Sequence, residues 1–342
     1  MPHQRWLCPI LLLITLLSSG CSPSTDSSLQ QLSGQTMGTT FTVSIVGEHQ
    51  VMPAEITGIL LDLEAGMSTY RDDSELMQLN RAPQDTWIAV SQPLFEVLAL
   101  SQAISAFSEG AFDISIAPLV NLWGFGPQQR QQDSLPDSDS INALLADVGY
   151  EYLQLDPLQQ AVMKTRNVQL DLSAIAKGYA ADQVAALLDA QQLENYLVEI
   201  GGEIRSKGGN ASGEPWRIAI EQPGNAGERE ALQLIAVNSA GIATSGDYRN
   251  YFMLDGLRYS HTLNPDNGYP VNHALTSVTV IADSAARADA LATAFLVMGE
   301  SAARTLADNT GIAAYFVEQT ADGYRESYSG AFEAYLSAGG MP

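Results

Sequence analysis

Tyr196-Leu-Val-Glu-Ile200, Trp216-Arg-Ile-Ala-Ile-Glu221 and Leu232-Gln-Leu-Ile-Ala-Val237 form the stretch that decides the fold class. Each is a short apolar run, and the three follow one another at spacings typical of hairpins rather than of helical crossovers. Working outward, Thr40-Phe-Thr-Val-Ser-Ile-Val46 alternates like a half-buried strand, residues 276–282 read as another, and residues 313–318 as the last. Helical patterns lie between them. Pro53 opens one whose apolar positions, Ile56, Ile59, Leu60 and Leu63, recur at helical spacing. Residues 94–107 form a second, and residues 174–188 a third, with Ile175, Tyr179, Val184 and Leu187 inward. A helix of small residues runs from Ala285 to Met298. Helices and strands interleave, but the short, closely spaced strands predict an α+β domain with largely antiparallel sheets and packed helices, not a doubly wound parallel sheet.

The N-terminus reads as an address. Arg5 supplies a positive start, residues 9–17 form a short apolar run, and Leu17-Ser-Ser-Gly-Cys21 follows. The run is too short to span a bilayer and has the proportions of a secretory signal. Small residues followed at once by cysteine resemble the lipobox of bacterial lipoproteins, in which the cysteine is acylated and becomes the new N-terminus. A plain cleaved signal with a chance cysteine is the alternative. The reading divides the chain into a lipoprotein signal peptide over 1–20, a flexible polar tether over 21–34 and one domain over 35–342. It places that domain in the bacterial cell envelope, held to the membrane by lipid at Cys21 and facing the periplasm. The polar stretch 128–140 reads as a surface loop.

Composition narrows the chemistry. The two cysteines, Cys8 and Cys21, both precede the domain, so neither a disulfide nor a thiolate metal site is expected in it. About 315 residues supply a large core instead. With 16 Lys and Arg against 39 Asp and Glu, the formal net charge is −23. Removing residues 1–20, which hold one Arg and no acid, makes it one unit more negative. Such a surface repels phosphate backbones, so nucleic acid is not an expected partner, and an anionic ligand needs a cation or local amides to be held. No Gly-x-Gly-x-x-Gly follows a strand and no Walker loop is present, so neither common nucleotide-binding motif applies.

Several segments are too particular for loop filler. In order they are Gly34-Gln-Thr-Met-Gly-Thr39, Ser68-Thr-Tyr-Arg-Asp-Asp-Ser74, Gly110-Ala-Phe-Asp113 with Pro118-Leu-Val-Asn-Leu-Trp-Gly-Phe-Gly126, and Asp171-Leu-Ser-Ala-Ile-Ala-Lys-Gly-Tyr-Ala180. Then come Glu199-Ile-Gly-Gly-Glu203, Thr244-Ser-Gly-Asp-Tyr248, Ser260-His-Thr-Leu-Asn-Pro-Asp-Asn-Gly268 and Ala288-Asp-Ala-Leu-Ala-Thr293. In this order, over nearly the whole domain, they resemble the ApbE family of FAD:protein FMN transferases. Two small departures stand out: Asn267 where the family usually has threonine, and Ser173-Ala174 in place of a small Gly pair.

Asp289 and Thr293 are four apart on a predicted helix and share a face, and a carboxylate with a hydroxyl makes a hard-oxygen pair suited to Mg²⁺. Spacing alone also fits an Asp capping a neighbouring loop beside a Thr bonded back within its helix. The resemblance implies the metal, with the backbone carbonyl of Ala174 as a further ligand. His261, flanked by hydroxyls ahead of Asn264-Pro265, sits in an irregular segment of the kind that carries reacting groups, and neutral imidazole suits proton abstraction from a hydroxyl. A histidine that only fixes its loop is the alternative. Gly201-Gly202 lets backbone approach a ligand closely. The resemblance implies FAD contacts at Met37, Tyr70, Ala111, Phe112, Asp113, Asp171, Lys177 and Leu263, with Lys177 on the diphosphate and Met37 and Tyr70 beside the rings. Trp123-Gly-Phe-Gly126 reads as structural. The activity implied is Mg²⁺-dependent transfer of FMN from FAD to a Ser or Thr hydroxyl through a phosphodiester, with release of AMP. The acceptors implied are exported subunits of redox complexes. An FAD pyrophosphatase shares every site residue, and a non-catalytic FAD-binding lipoprotein is the rival of another class.

Overall fold

The computed structural model describes residues 28–48, 51–127, 134–224, 230–248 and 250–336. The signal peptide, Cys21, the first part of the tether and His49 lie outside them.

The domain opens with β1 (Leu29–Thr36) and β2 (Thr39–Val46), paired along their full length from Leu29↔Val46 to Thr36↔Thr39. Met37 and Gly38 both have positive φ, 47° and 71°, which makes the connection a tight hairpin turn whose twist matches the strands. β1 corrects the tether expected over 21–34: from Leu29 the chain is already a strand. Its residues alternate between exposed and half-buried, and an edge strand with one wet face needs few apolar side chains, so its composition reads as linker.

Next come α1 (Pro53–Met67), α2 (Glu75–Arg81), β3 (Ile88–Ala89), α3 (Gln92–Phe107) and α4 (Ala117–Trp123). They lead to α5 (Ser138–Leu145), β4 (Leu153–Asp156), β5 (Ala161–Lys164) and α6 (Ala176–Ala190). Helix α5, capped by the Asp137 side chain on Ser140 N, begins inside the segment expected to be loop over 128–140. The strands then dominate: β6 (Tyr196–Ile200), β7 (Glu203–Lys207), β8 (Trp216–Glu221), β9 (Ala231–Val237), β10 (Ala240–Gly246), β11 (Tyr251–Leu254), β12 (Leu257–Ser260) and β13 (Leu275–Ala282). Helices α7 (Ala285–Met298) and α8 (Glu300–Thr310) precede β14 (Ala313–Thr320) and β15 (Gly323–Tyr328). β15 follows the strand expected to be last, and it is missed for the same reason as β1, being a polar edge.

Eight strands form one sheet in the order β1-β2-β6-β7-β10-β13-β14-β15, with every neighbouring pair antiparallel. The α+β class with antiparallel sheets is therefore the observed one. Alternation along the strands divides the apolar residues between two cores. Val278, Val280, Ala314 and Phe316 face the helices α1, α3, α6 and α7, whereas Ile281, Tyr315 and Val317 face the other side. There β8 and β9 pair with each other, apart from the main sheet, and lay Trp216, Ile220, Ile235 and Val237 across it, joined by Phe332. The two strands that helped to decide the fold class thus form a covering ribbon, not part of the main sheet.

Helix α7 is buried on nearly every side, and six of its residues are buried alanines, so it sits close against β10, β13 and α6. Asp182 on α6 caps it, its two carboxylate oxygens accepting from Ala285 N and Ala286 N, both at 2.9 Å. Gly178 completes the approach of α6: a Cβ there would stand 2.4 Å from the Ala285 carbonyl oxygen. On α6 the expected Leu187 is half-buried against the helix-side core, and Leu188 beside it is fully buried.

Candidate active site

The mouth of the helix-facing core is where the unusual segments meet. The first turn of α6, the middle of α7, the end of β10, the β6–β7 turn and the loop after β12 converge on one cleft of about 360 Å³. The predicted metal ligands Ala174, Asp289 and Thr293 line it, as do His261 and Leu263 from the loop after β12. So do Ala111, Phe112 and Asp113 from the loop after α3, and Asp171, Lys177 and Tyr70. Met37 lies one compartment further on, in an adjoining cavity of about 600 Å³ that shares Tyr70, Ser173 and Lys177 with the cleft. A two-compartment site of this size is what a dinucleotide needs.

Asp289 is buried, and desolvation raises its pKa while Lys177 and the Gly178 N–H, which donates to Oδ2 at 3.2 Å, oppose that shift. Thr293 lies one turn on, but its hydroxyl does not bond back within the helix; it meets Ser245 Oγ at 2.9 Å. Among the described residues no group of three or more His, Cys, Asp or Glu side chains is placed to hold a metal. The expected set differs in kind, with one carboxylate, one hydroxyl and one backbone carbonyl. A buried carboxylate raised in pKa by desolvation, beside hydroxyls and facing a cleft, is a donor set that fits a hard cation such as Mg²⁺.

His261 is half-buried. Its main-chain N–H donates to the Asn250 carbonyl at 3.0 Å, and its Nδ1 lies 3.0 Å from the same oxygen. A carbonyl only accepts, so Nδ1 carries the hydrogen and Nε2 of the neutral ring is the basic nitrogen. Burial lowers its pKa below the ordinary histidine value, against the Asn250 bond and reinforced by the positive charge of Lys177, so the neutral base is the form favoured. The loop-fixing role is therefore present, and the same bond orients the imidazole. An aromatic stack supports it: Trp123 against Tyr259 at 5.9 Å, Tyr259 against Phe252 at 5.2 Å, Phe252 against Phe125 at 5.5 Å, and Phe125 edge-on to the imidazole at 6.3 Å. Trp123 Nε1 also donates to the Gly268 carbonyl at 2.7 Å, clamping the loop that follows His261. Trp123-Gly-Phe-Gly126 is structural, as expected, and the structure it provides is that of the site.

The remaining contacts divide by what their side chains are free to do. Tyr70 is 70 % exposed at the junction of the two compartments, which leaves its ring face open for stacking. Met37 is held by Glu64, whose Oε1 accepts from Met37 N at 2.5 Å and from Thr36 Oγ1 at 2.9 Å. Asp113 is committed inward: Oδ1 accepts from the N and Oγ of Ser115, both at 2.7 Å, and Oδ2 from Tyr150 N at 2.8 Å. Asp171 Oδ1 accepts from Ser173 N at 2.7 Å and shapes the turn that carries Ala174. Leu263 is buried with Leu119, Trp123 and Ile141. Gly201 and Gly202 make the β6–β7 hairpin turn, with φ of 64° and 108°, and Gly201 also lines the cleft. His273 is exposed and away from the cleft. Sequence reading gave no role to Glu203 or Ser245, although both stood inside segments it singled out.

The ApbE family model matches residues 37–316, which takes in all five converging segments. The chain belongs to the ApbE family. Among family members it is 40 % identical over 341 residues to the FAD:protein FMN transferase of Vibrio cholerae, covering 98 % of this chain and 99 % of that one. It is 41 % identical over 318 residues to the FAD:protein FMN transferase of Haemophilus influenzae, covering 90 % and 92 %. The solved structure of the flavin transferase ApbE from Vibrio cholerae superposes with a TM-score of 0.83 at 40 % identity, over 91 % of this chain and 100 % of that one.

Proposed function

We propose that this chain transfers FMN from FAD to a Ser or Thr hydroxyl of an exported protein, with Mg²⁺, and releases AMP. The observation that carries the reading is the meeting, in one cleft of an ApbE-family chain, of an oriented neutral imidazole with a buried carboxylate–hydroxyl pair and a lysine. His261 Nε2 takes the proton of the acceptor hydroxyl, whose oxygen forms a bond to the FMN phosphorus. The bond from that phosphorus to the AMP phosphate oxygen breaks, and AMP leaves. Lys177 binds the diphosphate, and Tyr70 stacks on a flat ring of FAD. Asp289, Thr293 and the Ala174 carbonyl would hold Mg²⁺, which supplies neutralisation of the charge that grows on the pyrophosphate. Burial of Asp289 strengthens that interaction by keeping water from it.

The test is incubation with FAD, Mg²⁺ and a candidate exported acceptor, followed by flavin fluorescence of the denatured acceptor band. A fluorescent band supports transfer; FMN and AMP in solution beside a dark band would make the protein a pyrophosphatase. The same proposal places the domain at the periplasmic face of a membrane through acylation of Cys21, on the strength of the apolar run and small residues before it. Cys21→Ser should then accumulate as an unacylated, full-length precursor, and normal processing of that variant would refute the anchor.

A further inference from the structure

The Glu199-Ile-Gly-Gly-Glu203 segment is left without a task by the mechanism above, yet it ends in one of the most deeply buried carboxylates of the molecule. Glu203 is 3 % exposed and lines the cleft. Its Oε1 lies 2.6 Å from Lys177 Nζ, and its Oε2 has no hydrogen-bond partner. Burial pushes its pKa up, with Asp289 adding to the rise and Lys177 opposing it. The turn before it takes part as well. A Cβ on Gly201 would come within 3.2 Å of Lys177 Cδ and 2.8 Å of Thr39 Cγ2, so the lysine stem runs close to a bare Cα. A lysine has four flexible methylenes and a point charge, and one that must meet a diphosphate needs its head held in place.

Resting on the reading of the cleft as an FAD site, we propose that Glu203 is a positioning residue for Lys177. Gly201 leaves room for the stem, and Glu203 Oε1 accepts a hydrogen bond from the ammonium and holds it where the FAD diphosphate lies. What matters in this arrangement is the reach of an acceptor oxygen, not the negative charge, because charge at Glu203 would by itself repel the ligand. Two near-isosteres separate the two roles. Glu203→Gln keeps the oxygen at the same reach and removes the charge, whereas Glu203→Asp keeps the charge and withdraws the oxygen by one methylene.

The experiment measures FAD affinity by flavin fluorescence, in EDTA and again in Mg²⁺, for the full-length protein and these variants, each also made in a Lys177→Met background. Glu203→Asp should weaken FAD about 10-fold and Glu203→Gln less than about 3-fold, the cost expected for losing and for keeping a charge-assisted hydrogen bond. In the Lys177→Met background, Glu203→Asp should change nothing further, because the group it positions is gone. If the Asp variant does not fold, as judged by circular dichroism, Glu203→Ala repeats that arm. Gln losing as much as Asp, Asp binding like the parent protein, or a loss that persists without Lys177 would each overturn the proposal. A parent protein that binds no FAD at all would overturn the reading of the site on which it rests.

Discussion

At His261 the ring and the main chain share one acceptor, the Asn250 carbonyl, and the same bond that fixes the loop also leaves Nε2 as the basic nitrogen. His261→Ala should slow transfer by roughly 10²–10⁴ with FAD affinity nearly unchanged, the contribution usual for a general base. Its pKa is lowered by burial, so the proton is already off below the ordinary value of about 6.5. The rate should therefore climb with pH only at the acid end and be level by neutrality. A rising limb centred above that value, or equal losses of affinity and rate in the alanine variant, would assign the proton transfer elsewhere. Asp289 offers a second test at this scale. Asn at that position can still accept from Gly178 N–H, but it carries no charge for a cation. Asp289→Asn should cut Mg²⁺-dependent turnover by roughly 10²–10³. Without metal the variant should melt no lower than the parent protein, since a desolvated charge has been removed. Mg²⁺ should raise the melting temperature of the parent protein and not of the variant; a variant that Mg²⁺ still stabilises would take Asp289 out of the metal site.

Helices α6 and α7 set the spacing of the site, because Lys177 and Asp289 ride on them and their contact is made of small residues. Gly178 faces the start of α7, and the six buried alanines of α7 let it sink between α6 and the sheet. Gly178→Ala would drive a Cβ to 2.4 Å from the Ala285 carbonyl oxygen and 2.8 Å from Ala286 Cα, contacts that only separation of the helices relieves. Overpacking of this kind costs about 1–3 kcal/mol, so urea melts should show a lower midpoint with an unchanged slope. The same separation moves Lys177 away from Asp289, and turnover at saturating FAD should fall with stability. A stable Gly178→Ala enzyme of full activity would show that the helix contact yields without disturbing the cleft. The edges of the sheet make the opposite point about elements. β1 and β15 are polar strands that only their neighbours define, and no periodicity in their own residues separates them from loop.

For the molecule as a whole, a net charge of −23 means that folding gathers like charges onto one surface. Added salt screens that repulsion, so the melting temperature should rise between low ionic strength and about 0.15 M NaCl, where the Debye length is about 8 Å. A fall instead would mean that exposed ion pairs such as Arg71–Asp73 and Lys207–Asp189 outweigh the general repulsion. Sequence by itself determined the class of fold and the α7 helix to the residue, because alternation and helical spacing are local properties of the chain. It also named Asp289 and Thr293 as neighbours, since four residues on a helix settle which face they share. Only the tertiary structure decided that β8 and β9 cover the sheet instead of extending it, since pairing depends on which edges remain free. It alone brought the Glu203 carboxylate to Lys177, and a carboxylate to an ammonium is a contact between elements that no spacing encodes. In the same way Thr293 took Ser245 as its partner rather than its own helix, because a hydroxyl bonds whatever polar group the packing brings within reach.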